Sequence, residues 1–494
     1  MTEECDNLPR GWDYECLGQL GVWSGGGTPS KANDAYWTNG TIPWVSPKDM
    51  KSERIRSSED LITEEATQRT PAKPVPPGSV LMVTRSGILA HTFPVAVTER
   101  VVAINQDLKS LTPYEGIDAN FVAWCLRYRS SAILAECGKH GTTVASIEMD
   151  RLRKLRVPVA PAKEQRRIVE KIEALFAELD KGEESLRQVQ TLLVRYRQSV
   201  LKAAVTGELT ADWRARHAGK LEHGRDLLAR ILKARRENWQ GRGKYKEPVE
   251  PDTADLPELP DGWVWATVDQ VSMEVDYGSS AKCTELKGGV PVLRMGNIVE
   301  GTLTFDDLKY LPNDHREFPK LLLRLGDLLF NRTNSAELVG KTAVYKGFPE
   351  RCSFASYLIR VRLCEVWPDY VSAYINSVFG RRWVASVVSQ QVGQANVNGS
   401  KLKALAFPLP PLVEQEMIVR RMGEALERAD DVSQRVHEEL GRSSALRQSI
   451  LKDAFSGKLV PQEPSDEPAA ELLARIRAQR SVECKDAGRA RVAI

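Results

Sequence analysis

The sequence lacks the cysteine and histidine clusters that metal sites and disulfide frameworks need. Its eight cysteines include no Cys-x-x-Cys pair, and its six histidines are equally dispersed. No apolar run approaches the roughly 18 residues that span a bilayer. The acidic start, MTEECDNLPRGW, has no apolar signal core. We therefore expect a cytoplasmic protein without a metal centre or a membrane anchor.

The sequence also lacks the short motifs of common enzymes. ELVGKT (337–342) resembles a phosphate-binding loop, but residue 335 is serine where that loop needs glycine. The glycines of VWSGGGTPS (22–30) do not match the dinucleotide fingerprint. PLPPLVEQ (408–415) lacks the polar and aromatic residues of the amino-methyltransferase tetrapeptide, and neither HExxH nor GxSxG occurs. These absences favour a binding protein over an enzyme.

What the sequence does contain is one long internal repeat. RQSVLKAAVTGEL (197–209) recurs 250 residues later as RQSILKDAFSGKL (447–459), without a gap. Three further pairs match: PVAPAKEQRRIVEKI (158–172) with PLPPLVEQEMIVRRM (408–422), DLLARI (226–231) with ELLARI (471–476), and LPRGW (8–12) with LPDGW (259–263). The chain is therefore two copies of a unit of about 250 residues.

Each copy is predicted to hold a mixed α/β domain followed by a long helix. Short valine-rich runs bounded by glycine or proline predict strands, and apolar residues at helical spacing predict helices. The predicted segments are a first globular domain (1–157), a first long helix (158–209), a helical linker with a proline-rich acidic end (210–258), a second globular domain (259–407), a second long helix (408–459) and a C-terminal helical tail (460–494).

Both long helices carry the heptad pattern of a coiled-coil seam. With Ile168 at position a, Gly182 interrupts an otherwise apolar seam in the first helix, and the second seam is weaker and richer in small residues. The predicted interface residues are Ile168, Ile172, Leu175, Leu179, Leu186, Val189, Leu193, Tyr196, Val200, Ile418, Met422, Ala425, Ala429, Val432, Val436, Leu446 and Ile450. A helix of roughly 40 residues is about 60 Å long, so we expect the two helices to pack together. The alternative is that each packs on its own domain.

These repeats and motifs resemble the specificity (S) subunit of Type I restriction–modification systems, over nearly the whole chain. The resemblance rests on GGTPS (26–30), IPWVSPKDM (42–50), PPGSVLMVTRSG (76–87) beside RLGDLLFNRTN (324–334), the P-x-x-P-x-x-EQ-x-x-IV and RQS-(V/I)-LK-x-A ends of the long helices, and the linker DWRARHAG…KYKEP (212–248). It implies an α+β fold, in which two α/β target-recognition domains are separated by two long antiparallel coiled-coil helices related by a pseudo-twofold internal repeat.

The same resemblance implies a non-catalytic, sequence-specific DNA-recognition subunit. Each domain would read one half of a bipartite target, and the half-sites would differ because the two domains differ in sequence. The helix length would fix the gap between them. The chain would bind no cofactor itself and would scaffold two methyltransferase subunits, which use S-adenosylmethionine, and two motor-nuclease subunits, which use ATP and Mg²⁺. The EQ and RQS segments would be packing and partner surfaces.

Base reading favours arginine toward guanine and asparagine or glutamine toward adenine. Candidate DNA contacts at predicted loops are Lys48, Arg85, Lys139, His140, Thr142 and Thr143 in the first copy, and Arg294, Asn297, Arg332, Asn334, Gln394, Asn396 and Asn398 in the second. The alternative is that these residues satisfy backbone groups at turns. The second copy has DYGSSAKC (276–283) where the first has GGGTPSKA (25–32), which leaves open a different placement of its loop.

Two other functions fit the sequence less well, and a third possibility is left open. A structural coiled-coil scaffold unrelated to restriction does not explain two large, dissimilar globular domains, and a fused endonuclease or methyltransferase would need the missing motifs. A specificity subunit without functioning partner genes remains compatible with the sequence. An enzyme would cut or modify DNA when expressed alone with its cofactors, and we expect this chain not to.

Overall fold

A computed structural model describes residues 8–139, 144–239, 243–285, 287–391 and 394–492. The chain divides into two compact units: unit 1 comprises Met1–Leu186 and Glu438–Ile494, and unit 2 comprises Arg187–His437. Each unit therefore holds one globular domain and part of each long helix. Within the described residues, no helix is both long and apolar enough to cross a membrane.

The helices are numbered in chain order. They are α1 (Glu64–Arg69), α2 (Ala119–Tyr128), α3 (Ser130–Cys137), α4 (Met149–Lys154), α5 (Ala162–Val205), α6 (Ala211–Arg216), α7 (Gly224–Glu237), α8 (Val268–Val271), α9 (Pro368–Asn376), α10 (Val378–Val387), α11 (Gly399–Lys403), α12 (Leu412–Phe455) and α13 (Ala469–Val492). Short 3₁₀ turns lie at Leu17–Gln19, Asp34–Tyr36, Pro47–Asp49, Gly87–Ala90 and Met295–Asn297.

Unit 1 is built on a mostly antiparallel sheet with the order β2-β10-β7-β8-β4 and a second sheet with the order β5-β3-β9-β6. β1 pairs with β13 and β11 with β12. The strands are β1 (Asp13–Cys16), β2 (Gly21–Gly25), β3 (Ile42–Val45), β4 (Arg54–Ile55), β5 (Asp60–Ile62), β6 (Pro74–Val75), β7 (Val80–Val83), β8 (Val95–Thr98), β9 (Val102–Ile104), β10 (Leu108–Pro113), β11 (Gly138–Lys139), β12 (Ser146–Ile147) and β13 (Arg156–Val159). Every residue of β7 and β8 is buried, as their continuous apolar runs indicate.

Unit 2 repeats this plan, with sheets in the order β15-β24-β20-β22 and β19-β16-β23. β14 pairs with β27, β17 with β18, and β21-β26-β25 form a small sheet. The strands are β14 (Val264–Thr267), β15 (Ser272–Tyr277), β16 (Val290–Leu293), β17 (Ile298–Val299), β18 (Thr302–Leu303), β19 (Lys309–Leu311), β20 (Leu328–Asn331), β21 (Thr333–Asn334), β22 (Thr342–Val344), β23 (Ser353–Phe354), β24 (Leu358–Leu363), β25 (Ser389–Gln391), β26 (Gln394–Asn396) and β27 (Ala406–Leu409). The shared strand order confirms the predicted α+β fold and internal repeat.

The loops GGGTPSKA (25–32) and DYGSSAKC (276–283) are anchored alike. A Cβ at Gly26 would overlap the carbonyl of Ile104, and a Cβ at Gly278 would overlap that of Phe354. The residue after each glycine donates its N–H to the same carbonyl, at 2.9 Å in both units. A glycine is needed at both places because only a residue without Cβ permits this close approach.

The long helices α5 and α12 start just after a proline and end just before a glycine. Gly207 and Gly457 adopt positive φ angles of 78° and 69° and terminate α5 and α12. In unit 1, Arg447 of α12 forms an ion pair with Asp180 of α5 at 2.6 Å, and the hydroxyl of Ser443 donates a hydrogen bond to Glu183. In unit 2, Arg197 pairs with Asp430 at 2.6 Å. The helix segments are antiparallel, and the RQS arginines hold them in register.

The predicted seam is enclosed only in part. Ile168, Ile172, Val200, Ile418, Met422, Ala425, Ala429, Val436 and Ile450 are buried, whereas Leu175, Leu179, Leu186, Val189 and Leu193 are half-buried. Tyr196, Val432 and Leu446 are instead 44%, 40% and 49% exposed, because two helices alone cover only a narrow stripe. Near its start α5 also packs on its own domain, since Phe176 contacts Trp124 at a ring distance of 5.0 Å. Both arrangements considered from the sequence therefore occur.

A buried glutamate–glutamine pair begins each long helix. Trp12 Nε1 donates to Glu164 (3.0 Å), and Trp263 Nε1 donates to Glu414 (2.9 Å). The neighbouring glutamine, Gln165, accepts from the N–H of Asp118 at the start of α2 and donates to a carbonyl before α5. Gln415 makes the equivalent two bonds in unit 2. The EQ segments are therefore packing residues that join the L-P-x-G-W turn, a domain helix and a long helix.

Each unit is completed by the helix that follows the other copy's long helix. In unit 1, a Cβ at Gly457 would overlap Pro9, and Leu472, Leu473 and Ile476 of α13 enter the core. In unit 2, Gly207 contacts the Pro260 turn in the same way, and Leu227 and Ile231 of α7 are buried. The helical part of the predicted linker (210–258) thus packs into unit 2.

We expect Glu164→Ala to lower the stability of unit 1 by about 1–3 kcal/mol, because the buried indole N–H of Trp12 would lose its acceptor. Glu164→Gln keeps an oxygen acceptor and should retain most of that stability. Thermal unfolding of the full chain measures both, with the exposed Glu170→Ala on the same helix as control. Equal melting temperatures for the two Glu164 variants would contradict the role assigned to this contact.

The same contact predicts a pH dependence. Burial raises the pKa of the Glu164 carboxyl above its ordinary value of about 4.3. The folded state therefore keeps a proton that the unfolded chain loses first. Stability of the native protein should fall as pH rises from about 4.3 to the higher folded-state pKa. In Glu164→Gln this component of the pH profile should be missing, which melting curves at a series of pH values would show.

Candidate nucleic-acid interface

In unit 1 the structure brings Arg85 and Lys139 together at one end of the main sheet. Arg85 follows β7, and both it and Lys139 of β11 lie opposite Ser146. Both side chains are exposed, and neither has an ion-pair partner within the described ranges of the chain. His140, Thr142 and Thr143 lie outside the described residues. Two uncompensated cations that flank Ser146 suit a phosphate or base contact.

Lys48 is placed differently. Its ammonium lies 3.0 Å from both Glu59 and Asp60. The hydrogen bond to Glu59, followed by that to Asp60, raises the pKa of Lys48 above its ordinary value. The side chain is therefore charged, but two carboxylates already balance the charge. We therefore expect Lys48 to attract a phosphate less strongly than Arg85 or Lys139 does.

In unit 2, Arg294 and Asn297 hold a loop. Arg294 Nη2 donates to the carbonyl of Asp307 at 2.6 Å. Asn297 is buried, its amide donates to the carbonyls of Thr304 and Asp306, and its oxygen accepts from the N–H of Arg294. Asn297 therefore has no free donor to offer a base.

Arg332, Asn334, Gln394 and Asn396 are brought together by the small sheet β21-β26-β25. Arg332 lies between β20 and β21, and Asn334 faces Ala395 of β26. Asn396 donates to Thr333 Oγ1 at 2.6 Å, and Asn398 caps α11 by accepting from the N–H of Lys401. The side chain of Gln394 is outside the described part of the structure. The cluster faces the same end of the sheet as Arg85 does in unit 1.

Sequence reasoning missed the aromatic residues of this surface. Tyr277 and Tyr357 are 45% and 47% exposed, and both lie beside Arg332. Asn331 is buried with its side-chain oxygen unpartnered, and its amide donates to the carbonyl of Met295. A tyrosine in a strand is usually assigned to the core, so only the paired register shows that the ring of Tyr277 lies at the exposed end of β15. Among the described residues, no group of three or more acidic, histidine or cysteine side chains could hold a metal ion.

We expect Arg85→Ala to weaken DNA binding and to reduce the slope of log affinity against log salt by about one, as for the loss of one phosphate contact. Lys48→Ala should change the slope much less, because Glu59 and Asp60 already neutralise that charge. Binding of a DNA duplex to the chain with its partner subunits, measured at several salt concentrations, gives both slopes. Equal losses for the two variants would contradict the difference between the two cations.

Part of the chain matches a family model, and several known proteins are similar to it. Residues 9–188 match the Type I restriction modification DNA specificity domain. The Type I restriction enzyme EcoR124I/EcoR124II specificity subunit of Escherichia coli is 41% identical over 184 residues, which are 36% of this chain and 46% of that protein. The EcoKI specificity subunit of Escherichia coli K12 is 28% identical over 380 residues, covering 74% of this chain and 72% of that protein.

Two solved structures share the fold. A chain solved to explain complex assembly and conformational transition of the type I R-M system aligns with a TM-score of 0.63 at 20% identity, over 92% of this chain and all of that one. The HsdS subunit from Thermoanaerobacter tengcongensis aligns with a TM-score of 0.52 at 19% identity, over 93% of this chain and all of its own. At these identities the likeness concerns the fold alone.

Proposed function

We propose that this chain is a member of the family of Type I restriction–modification specificity subunits and the DNA-reading subunit of such a system. It reads an asymmetric bipartite target in double-stranded DNA and scaffolds the other subunits. The observation that carries the proposal is the repeated sheet, which presents Arg85 and Lys139 in unit 1 but Arg332, Asn334 and Asn396 in unit 2. One frame with two different surfaces suits two different half-sites.

The proposal assigns no chemistry to this chain. Two methyltransferase subunits would bind S-adenosylmethionine, and two motor-nuclease subunits would use ATP and Mg²⁺. What this chain supplies is position: phosphate contacts fix its register on the duplex, and side chains at the end of each sheet contact base edges. The long helices α5 and α12 set the gap between half-sites.

Co-expression with the methyltransferase subunit in a methylation-free host tests the proposal. Mapping modified adenines across the genome should give a single two-part motif with unequal halves and a fixed gap. A chain that co-purifies with the methyltransferase subunit but directs no methylation would contradict DNA recognition. Failure to co-purify would favour the unrelated coiled-coil scaffold.

A domain exchange should change one half-site alone. The contacts of Trp12 and Trp263 show where to cut: exchanging residues 13–157 for those of a relative keeps the L-P-x-G-W turn and its bond to Glu164. The methylation motif should then change in one half and keep the other half and the gap. Exchanging residues 264–407 is the matched experiment for unit 2, and it should change only the opposite half. A change in both halves would contradict separate reading by the two units.

A further inference from the structure

Three equivalent positions at the end of the main sheet hold different residues in the two units. The strand register defines the equivalence, since Tyr277 faces Ile359 as Gly25 faces Lys109. Backbone hydrogen bonds match the other two positions. The N–H of Arg332 donates to the carbonyl of Tyr357, as the N–H of Thr84 donates to the carbonyl of Asp107. The three positions are Tyr277, Arg332 and Tyr357 in unit 2, and Gly25, Thr84 and Asp107 in unit 1.

Arg332 is held in place by its backbone and by a stacking contact. Its guanidinium stacks over the ring of Tyr277, 4.7 Å from the centroid. Tyr277 is fixed in turn because its hydroxyl accepts the N–H of Gly399 at 2.8 Å. The backbone of Arg332 is bonded on both sides, to Tyr357 and to Val397. Such a side chain loses little conformational entropy on binding, because it is already ordered.

The charge of Arg332 is also uncompensated. No carboxylate of the described residues lies within ion-pair distance of it, and its one hydrogen bond from Nη1, to the carbonyl of Ser356, is long at 3.4 Å. The other arginines of this sheet differ. Arg360 pairs with Asp276 at 2.6 Å, and Arg362 pairs with Asp327 at 2.8 Å. Arg332 alone among these three has no carboxylate partner, and within the described residues its Nη2 makes no hydrogen bond, whereas its Nε is buried.

We infer that Arg332 reads a guanine in the half-site bound by unit 2, with Tyr277 as its stacking platform. The inference rests on the proposed function. Guanine presents O6 and N7 side by side in the major groove, and the guanidinium fork matches that pair of acceptors. In unit 1 the equivalent Thr84 is buried and its hydroxyl donates to the carbonyl of Asp107. The other half-site therefore has no guanine contact from this position.

Arg332→Lys tests the inference, because it keeps the charge and loses the fork. In the full chain co-expressed with its methyltransferase subunit, the mapped motif should become degenerate at one G·C pair in one half. The preference for guanine there should fall by roughly 10- to 100-fold, as for one bidentate base contact. Arg324→Lys is the matched control: Arg324 is exposed and precedes the strand that Arg332 follows, and its variant should leave the motif unchanged.

The platform gives a second, independent readout. Tyr277→Leu removes the stacking surface and should relax the same G·C pair. Tyr277→Phe keeps the ring but loses the hydroxyl that accepts the N–H of Gly399, and it should relax that pair less. If Arg332→Lys keeps the motif while Arg332→Ala lowers methylation at all sites equally and reduces the salt slope, Arg332 contacts a phosphate and the inference is overturned. A native chain that directs no methylation would overturn the proposed function, and the inference with it.

Discussion

The buried glutamate at the start of each long helix is the contact on which the rest of each unit depends. A carboxyl removed from water needs partners, and Glu164 and Glu414 each receive an indole N–H from the L-P-x-G-W turn. That turn also receives the glycine that ends the other long helix. In each unit the contact thus joins the first residues of a domain, the start of one long helix and the end of the other.

The repeat, the long helices and the buried strands could be predicted because they follow from periodicity and spacing. The resemblance to a known family already implied that the EQ and RQS segments are packing and partner surfaces. The burial of the seam was predicted less well. Heptad positions do not show where the helix pair has no further element packed against it. Tyr196 and Leu446 therefore lie exposed at positions that the pattern assigns to the interface.

The candidate DNA contacts could be predicted only as residue types at loops. Whether such a residue is free depends on partners far away in sequence, as Lys48 with Glu59 and Asn297 with Thr304 show. Sequence spacing cannot reveal such pairings, and it could not show that Tyr277 orders Arg332. The recognition surface is therefore the part of the fold that the sequence specifies least directly.

One buried polar position in the main sheet shows that the strand order accepts very different side chains. In unit 2, Arg360 is fully buried and bonded to Glu274 and Asp276. The equivalent residue in unit 1 is Ser110, which is buried beside Ser24 on the paired strand. An ionic network and a small hydroxyl occupy the same backbone position. The strand order is thus maintained by the apolar core and the paired backbones, so side chains can diverge without altering it.

The division of unit 1 into two chain segments also determines when each unit can finish folding during synthesis. Unit 2 is one continuous segment, Arg187–His437, whereas unit 1 needs Glu438–Ile494 to cover the core of a domain that begins at the N-terminus. A ribosome therefore releases every residue of unit 2 before it releases the last helix of unit 1. Domains fold as units during synthesis, so the domain that is made first is the one that is finished last. Until α13 emerges, the surface that Leu472, Leu473 and Ile476 will cover stays open to chaperones and to other nascent chains.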